Sequence, residues 1–314
     1  MEEAAGIDLA EQHDCHCHLV ERSECLHLIP SLGVGRVWLM GTRRQEWPVV
    51  AECGSKHPDR VVMAFGTRRR ANRVCIHPWF ADGASEAWPA TLLELTRLLQ
   101  SHPTALVGEI GLDGSATHPD TKLKYDMHTQ YRVFSDQWDL AVTHQRPVSI
   151  HAVGCYGKLE SFFQHHLKDV PKDLSRKDRD RLKRDGIDPT TLPDPSTHPS
   201  LAAHWPPAVM LHSYSGSVES IRNILRYPDP VATRFYFSFS EFVNGRLAFE
   251  KLQERLRAVP DDRVLVESDW NDARAVDERV VKAIELVARA KGWSLEDAAR
   301  RMAANALRFL GKVA

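Results

Sequence analysis

The segment His13-Asp14-Cys15-His16-Cys17-His18 crowds imidazoles, a carboxylate and thiols into one short stretch. In extended chain, alternate side chains share a face. That spacing predicts Asp14, His16 and His18 on one side, with Cys15 and Cys17 packed as small apolar groups behind. Two imidazoles at i and i+2 can hold one metal ion between them; the plainer alternative is a histidine-rich strand end with no ligand role. Other apolar runs close on the same residue types. Ala105-Leu-Val-Gly108 runs into Glu109, Val148-Ser-Ile into His151, Val209-Met-Leu into His212, and Val264-Leu-Val into Glu267-Ser268-Asp269. Buried carboxylates and imidazoles without partners are costly, and a shared metal centre removes that cost. Histidine and carboxylate donors without thiolates suit hydrolytic chemistry with magnesium, manganese or zinc. A pair of ions about 3.5–4 Å apart can activate water and clamp a phosphoryl group.

Such chemistry needs several strands that end on one rim. Apolar runs bounded by polar residues predict eight strands: Gln12–His18, Arg36–Gly41, Arg60–Gly66, Ala105–Gly111, Pro147–His151, Val209–Ser213, Phe235–Ser240 and Arg263–Glu267. Helical stripes fall between or after them, at Ala90–Gln100, Lys122–His144, Val280–Lys291 and Leu295–Leu310, the last with Ser294 as its cap. Alternating strands and helices make an α/β protein, and eight strands are what a single closed (β/α)8 TIM-type barrel requires. Such a barrel carries its chemistry at the C-terminal strand ends. One barrel across residues 1–314 is therefore expected, and the helical stripes are read as core.

The 314 residues carry 41 Lys and Arg against 42 Asp and Glu, a net charge of −1, with 43% hydrophobic residues. This excludes a disordered chain, a collagen and a disulfide-dense miniprotein. It also excludes a nucleic-acid coat over the whole surface, leaving local patches such as Arg43, Arg44 and Arg68–Arg70. Six cysteines with no Cys-x-x-Cys pair read as free thiols. No apolar run approaches the ~20 residues of a membrane span, and the first residues lack a signal peptide's pattern. A cytoplasmic or nuclear protein with no membrane association is expected.

Taken in order, Asp14-x-His16-x-His18, Ile76-His77-Pro78, Gly108-Glu109-Ile-Gly-Leu-Asp113, Ile150-His151, Leu211-His212-Ser-Tyr-Ser-Gly216, Glu267-Ser268-Asp269 and Asn305 to Gly311 form a set. That set resembles the TatD-type metal-dependent hydrolases of the amidohydrolase superfamily. The resemblance implies a two-metal site, with His16, His18, Glu109 and Asp269 on one ion and Glu109, His151 and His212 on the other. Asp269 would also act on the attacking water, as the catalytic residue, and His77 would contact substrate. The implied activity is phosphodiester hydrolysis, as a deoxyribonuclease acting on DNA through a metal-activated hydroxide, with two divalent ions (Mg2+, Mn2+ or Zn2+). Two departures touch the substrate pocket: Val153 stands where members often carry Arg, and Trp270-Asn271 where Ala-Pro is usual. They leave room for a hydrolase of the same superfamily that is not a nuclease.

Two insertions interrupt the pattern. Residues 67–75, with Arg68, Arg69, Arg70 and Arg73, separate Phe65-Gly66 from Ile76-His77, as either an exposed basic loop or a mistranslated stretch of the gene. Residues 167–205 form a flexible surface insertion; of the 18 residues Lys168–Asp185, 13 are charged. That insertion resembles fungal members of the family, some described as interacting with a tetratricopeptide-repeat subunit of the mitotic ubiquitin ligase. The resemblance thus adds a third class of function, an interaction protein that keeps a metal site.

Overall fold

All eight expected strands are present, parallel and hydrogen-bonded in chain order: β1 His13–Cys17, β2 Arg36–Gly41, β3 Val61–Phe65, β4 Leu106–Asp113, β5 Val148–Val153, β6 Val209–Leu211, β7 Phe235–Phe239 and β8 Val264–Val266. The structure is a computed structural model and describes residues 7–67, 79–117, 122–168, 170, 176–188 and 204–312. Around the strands lie α1 Trp47–Lys56, α2 Trp79–Ser101, α3 Met127–Thr143, α4 Tyr156–His166, α5 Arg176–Arg184, α6 Val218–Leu225, α7 Asp229–Ala232, α8 Glu241–Asn244, α9 Phe249–Ala258, α10 Val276–Lys291 and α11 Leu295–Phe309. The architecture is a (β/α)8 barrel.

Period-two alternation along the strands sorts apolar side chains into two layers. Val37, Leu39, Val107, Val148, Ile150, Leu211 and Phe237 face outward, in one cluster with Leu95, Phe134, Trp138 and Phe162 of the helices. Trp38, Met40, Val62, Ala64, Leu106, Met210, Tyr236 and Leu265 fill the barrel, joined by Phe309 from α11. Phe309 stacks on Trp38 at 5.1 Å and meets Tyr236 edge-on at 5.2 Å, so the end of α11 plugs the barrel floor.

Two strands break the alternation, and both breaks serve the mouth of the barrel. On β1, Asp14 pairs with Val37 and Cys17 with Leu39, so Cys15 and His16 together oppose Trp38. On β4, Val107 pairs with Val148 and Ile110 with Ile150, so Gly108 and Glu109 together oppose Ser149. An extra residue of this kind re-aims the side chains around it. It corrects the expectation that Cys15 and Cys17 share an environment: Cys15 packs inside the barrel, Cys17 in the outer layer. Beyond the β4 irregularity, Gly111 lies so close to β5 that a Cβ there would sit 2.0 Å from the His151 carbonyl oxygen, and its φ is +146°.

The seam between β1 and β8 is joined just past the strand ends. Asp269 N–H donates to the His16 carbonyl at 3.1 Å and His18 N–H to the Trp270 carbonyl at 2.8 Å. The Asp14 carboxylate accepts from Ser268 N–H at 2.8 Å and from Ser268 Oγ at 2.5 Å.

Other boundaries differ from expectation for local reasons. Helix α3 begins at Met127, not Lys122, because Asp126 caps it by accepting from Thr129 N–H at 2.6 Å, while Lys124 pairs with Thr117. Within the 167–205 insertion, Arg176–Arg184 is helical, with Arg181 3.9 Å from Asp185 one turn on. Trp205, at the edge drawn for that insertion, is fully buried against Trp138, Phe163 and Phe235 and belongs to the core. His77, the Ile76-His77-Pro78 motif, Arg68–Arg70, Arg73, Cys75 and residues 189–203 lie outside the described residues. Among the described residues no helix is long and apolar enough to cross a membrane, and Cys15, Cys17, Cys25, Cys53 and Cys155 are free and buried.

Candidate metal centre

The C-terminal ends of β1, β4, β5 and the residue after β6 converge on one buried point. Glu109, fully enclosed, lies at its middle. Its Oε2 lies 3.7 Å from His16 Nε2 and 3.5 Å from His18 Nε2. Its Oε1 lies 2.7 Å from His212 Nε2 and 3.2 Å from His151 Nδ1. Each carboxylate oxygen thus serves a separate pair of imidazoles. The two pairs are held together by parallel stacking of His16 on His212, with ring centres 3.9 Å apart.

Within each pair nitrogen faces nitrogen: His16 Nε2 is 3.3 Å from His18 Nε2, and His151 Nδ1 is 3.1 Å from His212 Nε2. Two imidazole nitrogens can meet only when one carries a proton and the other a lone pair. A cation between them accepts both lone pairs. Three groups, His16 with His18 and Glu109, Glu109 with His151 and His212, and His16 with His212 and Glu267, each bring one donor atom per residue within 4.8 Å of the others. That spacing suits donors around a shared ion at about 2.0–2.2 Å from each. The donor set fits divalent cations.

Asp269 lies at the rim of this group. Its Oδ1 is 3.3 Å from His18 Nε2, and it lines the cleft above the site with Asp113, His151, Val153, His212 and Val243. Asp269 has φ +47° and Ser213 has φ +41°, left-handed backbone at residues that follow strand ends. The structure therefore brings His16, His18, Glu109, His151, His212 and Asp269 to one place.

A second ring of residues aims the imidazoles. Ser149 Oγ holds His16 Nδ1 at 2.9 Å, and Glu267 Oε1 holds His212 Nδ1 at 3.2 Å. Glu267 is fully buried and accepts from Ser213 Oγ at 2.5 Å and from Ser238 Oγ. Burial first, then the nearby Asp269 charge, push the Glu267 carboxyl well above the usual carboxylate range against those hydrogen bonds. Burial likewise lifts Asp14 to about 7, although Ser268 and the His16 N–H hydrogen-bond to its carboxylate. Asp113 Oδ2 lies 3.4 Å from His151 Nε2. Burial opposes ionisation there, but His151 and Ser115 together hold the Asp113 carboxyl below its ordinary value.

The sequence marks Glu267 at a strand end and Asp113 within a motif without giving either a task, and no motif in it singles out Ser149. The signal for Ser149 is parity, since it lies two residues before His151 on a regular strand. Asp113 is four residues past Glu109 on the same strand, beyond the expected strand end at Gly111.

The TatD related DNase family profile matches residues 13–311. The chain is 29% identical to Cut9-interacting protein scn1 of Schizosaccharomyces pombe, over 95% of this chain and 98% of that one. It is 28% identical to the human 3'-5' RNA nuclease TATDN2 over 62% of this chain, which is 19% of that larger protein. Among solved structures, a TatD homologue from Escherichia coli superposes with a TM-score of 0.64 at 17% identity, over 96% of this chain and 98% of that one. An uncharacterized amidohydrolase from Saccharomyces cerevisiae superposes with a TM-score of 0.63 at 14% identity, over 95% and 99% of the two chains. With a family match that spans nearly its whole length, the chain belongs to the TatD-related DNase family of hydrolases.

Proposed function

We propose that the protein hydrolyses phosphodiester bonds, with DNA as substrate, at a site that takes two divalent ions (Mg2+, Mn2+ or Zn2+). The observation that carries this reading is Glu109, whose two oxygens reach two different histidine pairs, as a bridging ligand must. His16, His18 and Asp269 would hold one ion together with Glu109; His151 and His212 would hold the other. Ions bound there would polarise a phosphoryl oxygen and lower the pKa of water. Asp269, which lines the cleft beside His18, takes the proton of the attacking water. Ser149 and Glu267 keep the His16 and His212 rings turned toward Glu109. His77 remains the proposed substrate contact.

The test is metal analysis together with a gel assay on single- and double-stranded DNA in Mg2+, Mn2+ or Zn2+. The expected result is bound divalent metal, cleavage that a chelator abolishes, and a loss of about 100-fold or more in Asp269→Asn. A protein without bound divalent metal, or an Asp269→Asn variant as active as the parent, overturns the reading. An RNA arm belongs in the same assay, because the human relative is named as an RNA nuclease; cleavage of RNA alone moves the substrate.

The name of the Schizosaccharomyces pombe relative, which aligns with nearly the whole chain, favours a second role as a partner of another protein. We propose the charged insertion that carries α5 as the surface. A pull-down that loses its partner on deletion of residues 168–185, with hydrolysis retained, supports this role; capture unaffected by the deletion removes it.

A further inference from the structure

Beside the metal centre stands a tier of two touching aromatic rings flanked by two guanidinium groups. Trp270 follows Asp269 in the chain, and Phe242 precedes Val243; Asp269 and Val243 both line the cleft. The Phe242 and Trp270 rings meet edge to face, with centres 4.9 Å apart. The Arg279 guanidinium lies 3.6 Å above the Trp270 ring centre, and that of Arg246 lies 4.3 Å above Phe242. Both rings are only half-buried, and Arg246 is exposed.

The charge around the mouth is unevenly compensated. Arg22 and Arg274 are both held by Asp272 at 2.6 Å. Among the described residues, Arg279 has one carboxylate within ion-pair distance, that of Glu241 at 3.7 Å, and Arg246 has none. The described lining of the cleft contains no lysine or arginine. The tier therefore offers guanidinium charge at the edge of a cleft whose described lining has none. A guanidinium laid flat on a ring keeps its N–H edges directed outward, the geometry that grips phosphate oxygens. Aromatic faces beside a phosphate grip suit the repeating unit of a single-stranded nucleic acid, where base and phosphate alternate.

We propose that Arg246, Phe242, Trp270 and Arg279 form the subsite for the nucleotide next to the scissile phosphate of a single strand, with the base on the aromatic rings and its phosphate on the guanidinium groups. This rests on the phosphodiester reading of the adjacent centre for its catalytic consequence, but strand binding needs no turnover. Binding of labelled ten-nucleotide DNA and RNA single strands to the whole protein is measured by fluorescence anisotropy with chelator present, and cleavage of the same strands is compared with that of bis(p-nitrophenyl) phosphate. Trp270→Ala should weaken strand binding about 10-fold, Trp270→Phe should restore most of it, and Arg246→Ala should weaken it and flatten its salt dependence. In cleavage, the rise in KM of Trp270→Ala on a strand should exceed that on the small diester by about 10-fold. The DNA and RNA arms show which strand the tier favours. Unchanged strand affinity in Trp270→Ala and Arg246→Ala overturns the proposal, as does a loss that Trp270→Phe does not recover, or an equal loss on strand and small diester. If the parent binds strands through the tier and cleaves neither strand nor small diester, the catalytic reading fails and the subsite stands.

Discussion

His13 and His16 lie three residues apart on β1, one at the barrel floor and one at its mouth. His13 Nδ1 accepts a hydrogen bond from the Trp38 indole N–H at 3.1 Å. Burial first, then Arg36 and Lys312, bring its pKa down to about 4, so the ring is neutral and its acceptor is used. His16 faces a second imidazole, a carboxylate and a stacked His212 ring. Both are buried. What separates them is the partner: a neutral donor closes the floor site, whereas converging lone pairs and carboxylates make the mouth a place for a cation. Histidine content alone carries no such information, which is why most of the 16 histidines have no part in the centre.

The largest effect is expected at Glu109. Glu109→Gln keeps the shape and removes the charge, and it should cost divalent binding and turnover by more than the 10–100-fold (about two decades at most) typical of residues that only orient ligands. Stoichiometric metal with parental turnover in Glu109→Gln would make the mouth no different from the floor.

The floor is tested by stability. His13→Phe orphans the Trp38 N–H and should lower unfolding free energy by about 1–3 kcal/mol, with metal content unchanged. In the parent, the folded value near 4 lies below the 6.5 of a free imidazole. The unfolded chain therefore binds the proton first, so His13's contribution is whole above pH 6.5 and is lost as pH falls toward 4, by about 3 kcal/mol in all. Denaturant titrations at pH 7, 5.5 and 4 should show that limb in the parent, reduced in His13→Phe. An equal slope in both assigns the acid sensitivity elsewhere.

The smallest effect is expected between the two ends, at Ser149, which holds His16 without facing the site. Ser149→Ala should weaken divalent binding about 10-fold, read by competition with a chromogenic chelator. No change would mean that the stacked His212 ring suffices to aim His16.

Regular strands were readable by counting. On β5 the order Val148 out, Ser149 in, Ile150 out, His151 in follows from period two, and β6 repeats it to His212. The irregular strands were not. Parity from Val107 would turn Glu109 outward, and only the extra residue opposite Ser149 brings it inside. Glu109 was found by its type at the end of an apolar run, and not by a rule that predicts its direction. The role of Glu267 was hidden for a different reason. Its partners Ser213, Ser238 and His212 come from loops and strands 29 to 55 residues away, and no local pattern records who meets whom. The buried Trp205 was likewise decided by tertiary contacts that compete with local preference, whereas the Asp126 cap is a local contact with Thr129 three residues on.

The Asp14–Ser268 bond joins residues 254 positions apart. At roughly 5–20 residues per second, a ribosome needs on the order of 10–50 s to extend the chain from one to the other. Throughout that interval the histidine-rich first strand exists without the neighbour that closes it. The centre thus cannot be completed until β8 and Asp269 have been made, and a nascent chain halted before β8 would carry most of the donors without Asp269 or the Ser268 contact that closes the seam.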